Sequence, residues 1–262
     1  MPGLTASQRK IGQTIREWAR PTLTLIALLL LWEFVSRMLN VPIWLVPAPS
    51  KIFISVFERG PIMFFHTWVT FYETILGFAL AIALGVPLAV AVVHSRALSN
   101  TLFPLILITQ SIPKVAFAPI LLIWFGYGDI PKVVVAFLVA FFPIVVDTAT
   151  GLRSPAPQAI DLARQLAASD FQIYTKIRFP SALPHFFAGL KVAITLAVIG
   201  AVIGEFVGAE SGLGFLVIES TSHFNTPLAF GAMALLALMS MVLFAAVAVA
   251  ERLACPWYGR SS

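Results

Sequence analysis

The chain has 262 residues, of which 59% are hydrophobic and 11% charged, with a formal net charge of +5. Soluble domains hold roughly a quarter charged residues, so the composition excludes an ordinary water-soluble globule and predicts an all-α polytopic protein of the lipid bilayer. The apolar runs lack the period-two alternation of a membrane β-barrel, the positive charge lies between those runs and forms no nucleic-acid footprint, and the single cysteine, Cys255, allows no intrachain disulfide.

Ahead of the first apolar run, Ile11, Ile15 and Trp18 recur at helical spacing among Arg9, Lys10, Arg16 and Arg20. This predicts an amphipathic helix on the inner membrane surface, with a disordered basic tail as the alternative. No small-residue cleavage pattern follows, so the first run reads as a retained helix. A spanning helix needs about 20 mostly apolar residues. Six stretches approach that length: 22–39, 67–93, 101–125, 130–152, 185–207 and 228–253. Residues 1–21 are therefore read as a cytoplasmic segment, 22–253 as a six-helix transmembrane domain and 254–262 as a cytoplasmic tail.

Glu33 in the first run is expected to pair internally, because a charge at membrane depth faces protein or water. After Pro42, Pro47 and Pro49, Ser50 is expected to cap a short helix, 51–58, with an apolar face of Ile52, Phe53, Val56 and Phe57. In the third run Gln110, Ser111, Pro113, Lys114 and Pro119 crowd the middle, which predicts a bent or broken helix. Gln110 and Lys114 then line a translocation pathway, or the bend is a proline kink packed in protein.

Between the fourth and fifth runs, residues 153–184 form the one long polar interruption with internal order. Pro157 opens a helix, Ser169 and Asp170 supply caps for a second one over 171–178, and Pro180 and Pro184 are expected to end it. In the fifth run Gly200, Gly204 and Gly208 stand four apart. They predict close helix packing, either within the chain or at an axis between two copies. Glu205 beside them, and Leu213 in the following Gly-Leu-Gly turn, are read as part of the pathway or its outer gate, with 215–220 as a short re-entrant helix.

The basic residues Arg9, Lys10, Arg16, Arg20, Arg96, Arg153, Arg164, Lys176, Arg178, Arg252 and Arg260 fall on one side if both termini are cytoplasmic. The expected topology is N-in and C-in.

Residues 161–180 resemble the EAA loop of binding-protein-dependent ABC importer permeases, whose pattern runs Glu-Ala-Ala, Gly and Ile-x-Leu-Pro. Asp161, Leu162, Ala163, Ala167, Ile177, Phe179 and Pro180 occupy those positions at the same spacing. Asp161 replaces Glu, Leu162 replaces Ala, Phe179 replaces Leu, and Ala167 stands where the family has Gly. Ala at that place argues against a left-handed turn, so the bend is expected nearer 168–170. The blocks Leu45 to Ser50, Ile112 to Ala116 and Trp124 to Gly128 resemble the nitrate, sulfonate and taurine branch, and Gly204 to Ala209 resembles permeases for thiamine-precursor pyrimidines.

The resemblance implies a type I ABC importer permease fold in a bacterial inner membrane. It implies a coupling helix, with Asp161, Ala163, Arg164, Ala167, Ala168 and Ser169 seated on a separate ATPase subunit. It also implies a substrate-binding protein that delivers a small solute, and two copies of the chain. ATP and magnesium are then bound by the partner, since no phosphate-binding Gly-rich loop occurs here. No catalytic constellation, metal site or cofactor site is expected in this chain. The competing reading is an ion-coupled secondary transporter with Glu33, Glu73, Lys114, Asp147, Lys191 and Glu205 along a proton route.

Overall fold

The computed structural model describes residues 6–257, with side chains from residue 19 onward apart from Phe103 and Leu107. The helices are α1 (Ala6–Met38), α2 (Pro49–Glu58), α3 (Gly60–His94), α4 (Arg96–Gln110), α5 (Ala118–Phe125), α6 (Asp129–Arg153), α7 (Pro157–Gln165), α8 (Asp170–Ile173), α9 (Phe179–Gly208), α10 (Leu213–Ser222) and α11 (Thr226–Ala254). Five helical runs are long and apolar enough to cross a bilayer, and α4 with residues 114–125 makes a sixth when the bent pair counts as one span. Each of the six apolar stretches thus finds its helix. The backbone of α1 runs unbroken through Pro21; the amphipathic face expected over 8–20 falls almost wholly outside the described side chains.

The bundle is built around α6, which is clasped between α3 and α9. Apolar side chains gain little by leaving lipid for protein, so membrane helices associate through close van der Waals approach, which small residues permit. Both contacts are of that kind. A β-carbon added at Gly77 on α3 would lie 2.5 Å from Ala136 Cβ, and one added at Gly200 on α9 would lie 2.7 Å from Ala136 Cα. Further along, Gly204 lies against Lys132, and Gly208 against Leu122. The stripe on α9 is therefore covered inside the chain by α6 and α5, the first of the two packings expected for it.

At the other end of the interface, Ala140, Ile144, Leu190, Ala193 and Ala197 continue the core and receive Cys255 from the C-terminus. A second cluster joins Met63 of α3 to Leu213, Leu216, Leu228 and Ala232 of α10 and α11. The apolar side chains of α1 remain largely exposed, as suits a helix that faces lipid.

The short helix after the first span is capped differently from the expectation. Pro49, not Ser50, opens α2, and Ala48 holds the cap position without a side-chain bond. The freed amide of Ser50 donates to Glu33 Oε2 at 3.0 Å, and its hydroxyl donates to Glu33 Oε1 at 2.8 Å. Arg37 holds the same carboxylate at 2.6 Å. Glu33 thus caps α2 from a distance, because a carboxylate placed at a helix N-terminus satisfies orphan amides and meets the positive end of the macrodipole.

The fifth span begins earlier than expected. Pro180 and Pro184 do not end the helix: residues 170–208 run on as one span of 39 residues. A wide π-type turn over Tyr174–Arg178 precedes Pro180. That extra residue moves the carbonyl that the Pro180 ring would otherwise meet, and the helix continues past it. The polar connection shrinks accordingly from 153–184 to 154–169.

Candidate functional site

The connection between α6 and α8 is built from two opposed helix ends. Pro157 sits in the first turn of α7, where its missing N–H costs nothing. The helix stops through two bonds, Ala167 N–H to Arg164 O at 2.9 Å and Ala168 N–H to Ala163 O at 3.0 Å, around a left-handed Ala167 with φ of +57°. This corrects the sequence expectation. The bend lies at Ala167 itself, where the paired bonds hold the backbone against the Cβ penalty that glycine avoids. Ser169 and Gln172 then start α8 with reciprocal bonds. Gln172 N–H donates to Ser169 Oγ at 3.3 Å, and Ser169 N–H donates to Gln172 Oε1 at 2.9 Å.

The result is a rigid corner that projects from the bundle. No residue of α7 is buried. Leu162 is 58% exposed, Leu166 76% and Phe171 76%. Leu162 and Leu166 lie in the connection between the span that ends at Arg153 and the one that begins at Asp170, so lipid is not their natural cover, and Phe171 stands in the first turn of the next span. Exposed apolar side chains gathered on a surface outside the bilayer mark a protein contact. Asp161, Arg164, Ala167 and Ser169 are exposed beside them, with Ala163 and Ala168 half-buried.

The third span is broken. Between α4 and the 3₁₀ turn Lys114–Phe117 the axis turns by 86°. Gln110, Ser111, Ile112 and Pro113 are exposed at the break. Lys114 lies back over the Phe142 ring, with Nζ 4.4 Å from its centroid, and donates to Gln110 O at 3.4 Å. The break leaves a polar, charged rim on an apolar bundle.

At the opposite end of α9 stands a buried polar knot. Glu205 Oε1 accepts from Thr70 Oγ1 at 2.7 Å, and Oε2 accepts from the Gly214 amide at 2.5 Å. The Leu213 amide donates to Thr70 Oγ1 at 2.8 Å, and the Gly212 amide to His66 Nδ1 at 3.0 Å. Three successive amides of the turn before α10 are thereby held by α3 and α9. Lys132 pairs with Glu73 next to them and reaches Asp129 at 3.2 Å. Leu213 and Glu205 are buried in this knot and do not line an open passage. His66 and Thr70 belong to the knot, yet nothing in the sequence marks them, since their partners are 146 and 143 residues away.

The remaining charged residues of the supposed proton route are scattered. Glu33 belongs to Arg37 and Ser50, and Lys191 to Glu251 at 2.8 Å. Among the described residues they do not form a chain with the knot.

Residues 81–257 match the family model described as the inner membrane component of binding-protein-dependent transport systems. A probable ABC transporter permease protein of Haemophilus influenzae is 36% identical, over 86% of this chain and 92% of that protein. The formylaminopyrimidine transport permease protein ThiX of Halalkalibacterium halodurans is also 36% identical, over 90% of this chain and 95% of its own. Among solved structures, an inward-facing conformation of the MetNI methionine ABC transporter superposes with a TM-score of 0.63 at 22% identity, covering 72% of this chain and 94% of that one. That likeness extends to the fold.

Proposed function

Since the chain belongs to the family of binding-protein-dependent transport system inner membrane components, within the branch that includes sulfonate, taurine and nitrate permeases, we propose that it forms the membrane pathway of an importer for a small heterocyclic solute. A binding protein delivers the solute, a separate ATPase drives the cycle, and two copies of this chain enclose the passage. A closed twofold pair is the common solution for a subunit that supplies half a pathway. The formylaminopyrimidine named for ThiX and the riboflavin named for RibX of Chloroflexus aurantiacus motivate the heterocycle; aliphatic sulfonates, taurine and nitrate are named for other relatives.

The observation that carries this reading is the projecting α7 corner, with Leu162 and Leu166 uncovered in the connection between two spans and Phe171 uncovered beside them. A short helix with a bonded C-terminal stop transmits rigid-body motion, whereas a loose loop would absorb it. In the cycle, ATP draws the two ATPases together and the α7 helices with them. The bundle then turns outward to receive solute, and hydrolysis returns it inward. Both termini and the α7 corner face the cytoplasm in this scheme.

Purification of the tagged chain from its native membrane in mild detergent, followed by mass spectrometry of what accompanies it, tests the proposal. A phosphate-loop ATPase is expected with the wild type and is lost with Leu162→Glu. An ATPase retained equally by both proteins, or absent from the wild type, overturns the coupling assignment. The co-purified binding protein then identifies the solute by what it binds.

A further inference from the structure

Two adjoining hollows lie between the end of α3 and the turn that leads into α9. The first, of about 480 Å³, is lined by His94, Arg164, Arg178, Asp170 and Tyr174 among others. The second, of about 250 Å³, is apolar and runs along Val86, Val90, Leu152, Phe179 and Leu183, with Tyr174 in its wall as well. Tyr174 thus stands where a cationic compartment meets a hydrocarbon one.

The charge balance of the first hollow favours an anion. Two guanidiniums and an imidazole face a single carboxylate, that of Asp170. None of the ion pairs among the described residues includes Arg164 or Arg178. Arg178 makes a contact of 3.5 Å to Leu152 O, which leaves the guanidinium close to the floor of the groove. A soluble anion would use the first compartment alone. An occupant that fills both needs a negative head and an apolar tail.

We propose that this groove holds one anionic phospholipid, with its phosphate between Arg178 and Arg164 and an acyl chain beside Val86 and Val90. The location fits. α3 and α6 end here, at His94 and Arg153, so the boundary between the compartments lies at the level where headgroup meets acyl chain. Basic pockets between spanning helices on the cytoplasmic side attract such headgroups. The inference rests on the reading that this end faces the cytoplasm. A lipid seated here bridges α3 and the π-type turn, and so stiffens the base from which the α7 corner projects.

Native mass spectrometry of the full chain, purified with its accompanying proteins and exchanged into detergent with equal phosphatidylglycerol and phosphatidylcholine, tests it. Phosphatidylglycerol is expected to be retained in preference. Arg178→Gln lowers that retention roughly fivefold, the effect of one basic side chain at an anionic lipid. Val90→Phe, which fills the apolar compartment and leaves the arginines in place, lowers it too. Equal retention of the two lipids by the wild type, or undiminished retention by both variants, overturns the proposal. So does displacement of phosphatidylglycerol by inorganic phosphate with Val90→Phe without effect, which would assign the site to a free anion. The same spectra report the ATPase: lipid selectivity missing while the ATPase is bound rejects the lipid site alone, and a missing ATPase rejects the coupling reading.

Discussion

The ammonium of Lys132 on α6 pairs with the carboxylate of Glu73 on α3, and both side chains are buried in the bundle. The Glu205 carboxylate lies in the same knot and holds the turn before α10. A buried pair adds little net stability, because desolvation offsets the attraction, but removal of one partner strands the other. This knot ties three spans and the α10 turn at the end remote from the α7 corner.

Lys132→Met leaves two buried carboxylates without their cation and is expected to lower the unfolding free energy by about 3–5 kcal/mol. Lys132→Met combined with Glu73→Met removes the stranded partner and regains much of that loss. Thermal unfolding of the purified chain in detergent distinguishes the two. A double variant that melts as early as the single one would assign the Lys132 contribution to Glu205 instead.

Ala136 is gripped from both sides, but by different atoms. An Ala at Gly77 meets the Ala136 β-carbon at 2.5 Å, whereas an Ala at Gly200 meets the Ala136 α-carbon at 2.7 Å. Each substitution is expected to cost about 1–3 kcal/mol through overpacking. Ala136→Gly then partly restores Gly77→Ala and leaves Gly200→Ala unchanged. Equal restoration of both would mean that the helices re-space freely and that the measured clash is not what limits them.

The left-handed Ala167 predicts a stabilising change. Ala167→Gly removes the Cβ penalty at that backbone, worth about 1 kcal/mol. Hydrogen exchange of the Ala167 and Ala168 amides, which close the α7 stop, should slow roughly fivefold. Ala167→Val should speed it. Unchanged exchange in both would show that the corner opens by a route that leaves this residue's backbone as it is.

Glu33 is expected to matter for α2 more than for its own helix. Glu33→Ala deletes the acceptor of the Ser50 amide and hydroxyl, a cap loss of about 1–2 kcal/mol. Exchange at Ser50 and Lys51 should rise while the α1 amides stay protected. Ser50→Ala keeps the amide bond to Glu33 and should have the smaller effect.

Composition and hydropathy alone determined that this chain is an all-α membrane protein and roughly where its six spans lie, because lipid forces every backbone polar group into helices and about 20 apolar residues cross it; the prolines around Gln110 added that the third is bent or broken. The spacing of Asp161, Ala163, Ala167 and Pro180 likewise identified the family. Capping chemistry around Ser169 was legible as well, being local. Four things were decided only by the tertiary structure. Ala167 adopts the conformation of a glycine because two helix-stop bonds outweigh one β-carbon. Pro180 fails to end its helix because a π-type turn ahead of it removes the clash. Ser50 yields its capping role to Glu33, seventeen residues away. The turn at Gly212 to Gly214 is tied to Thr70 and His66 by contacts that span more than half the chain. Local pattern reports what a segment can do alone. Which of its bonds are made to distant partners depends on helix packing, and that packing is set by the backbone approach at Gly77 and Gly200, which no single stretch of sequence contains.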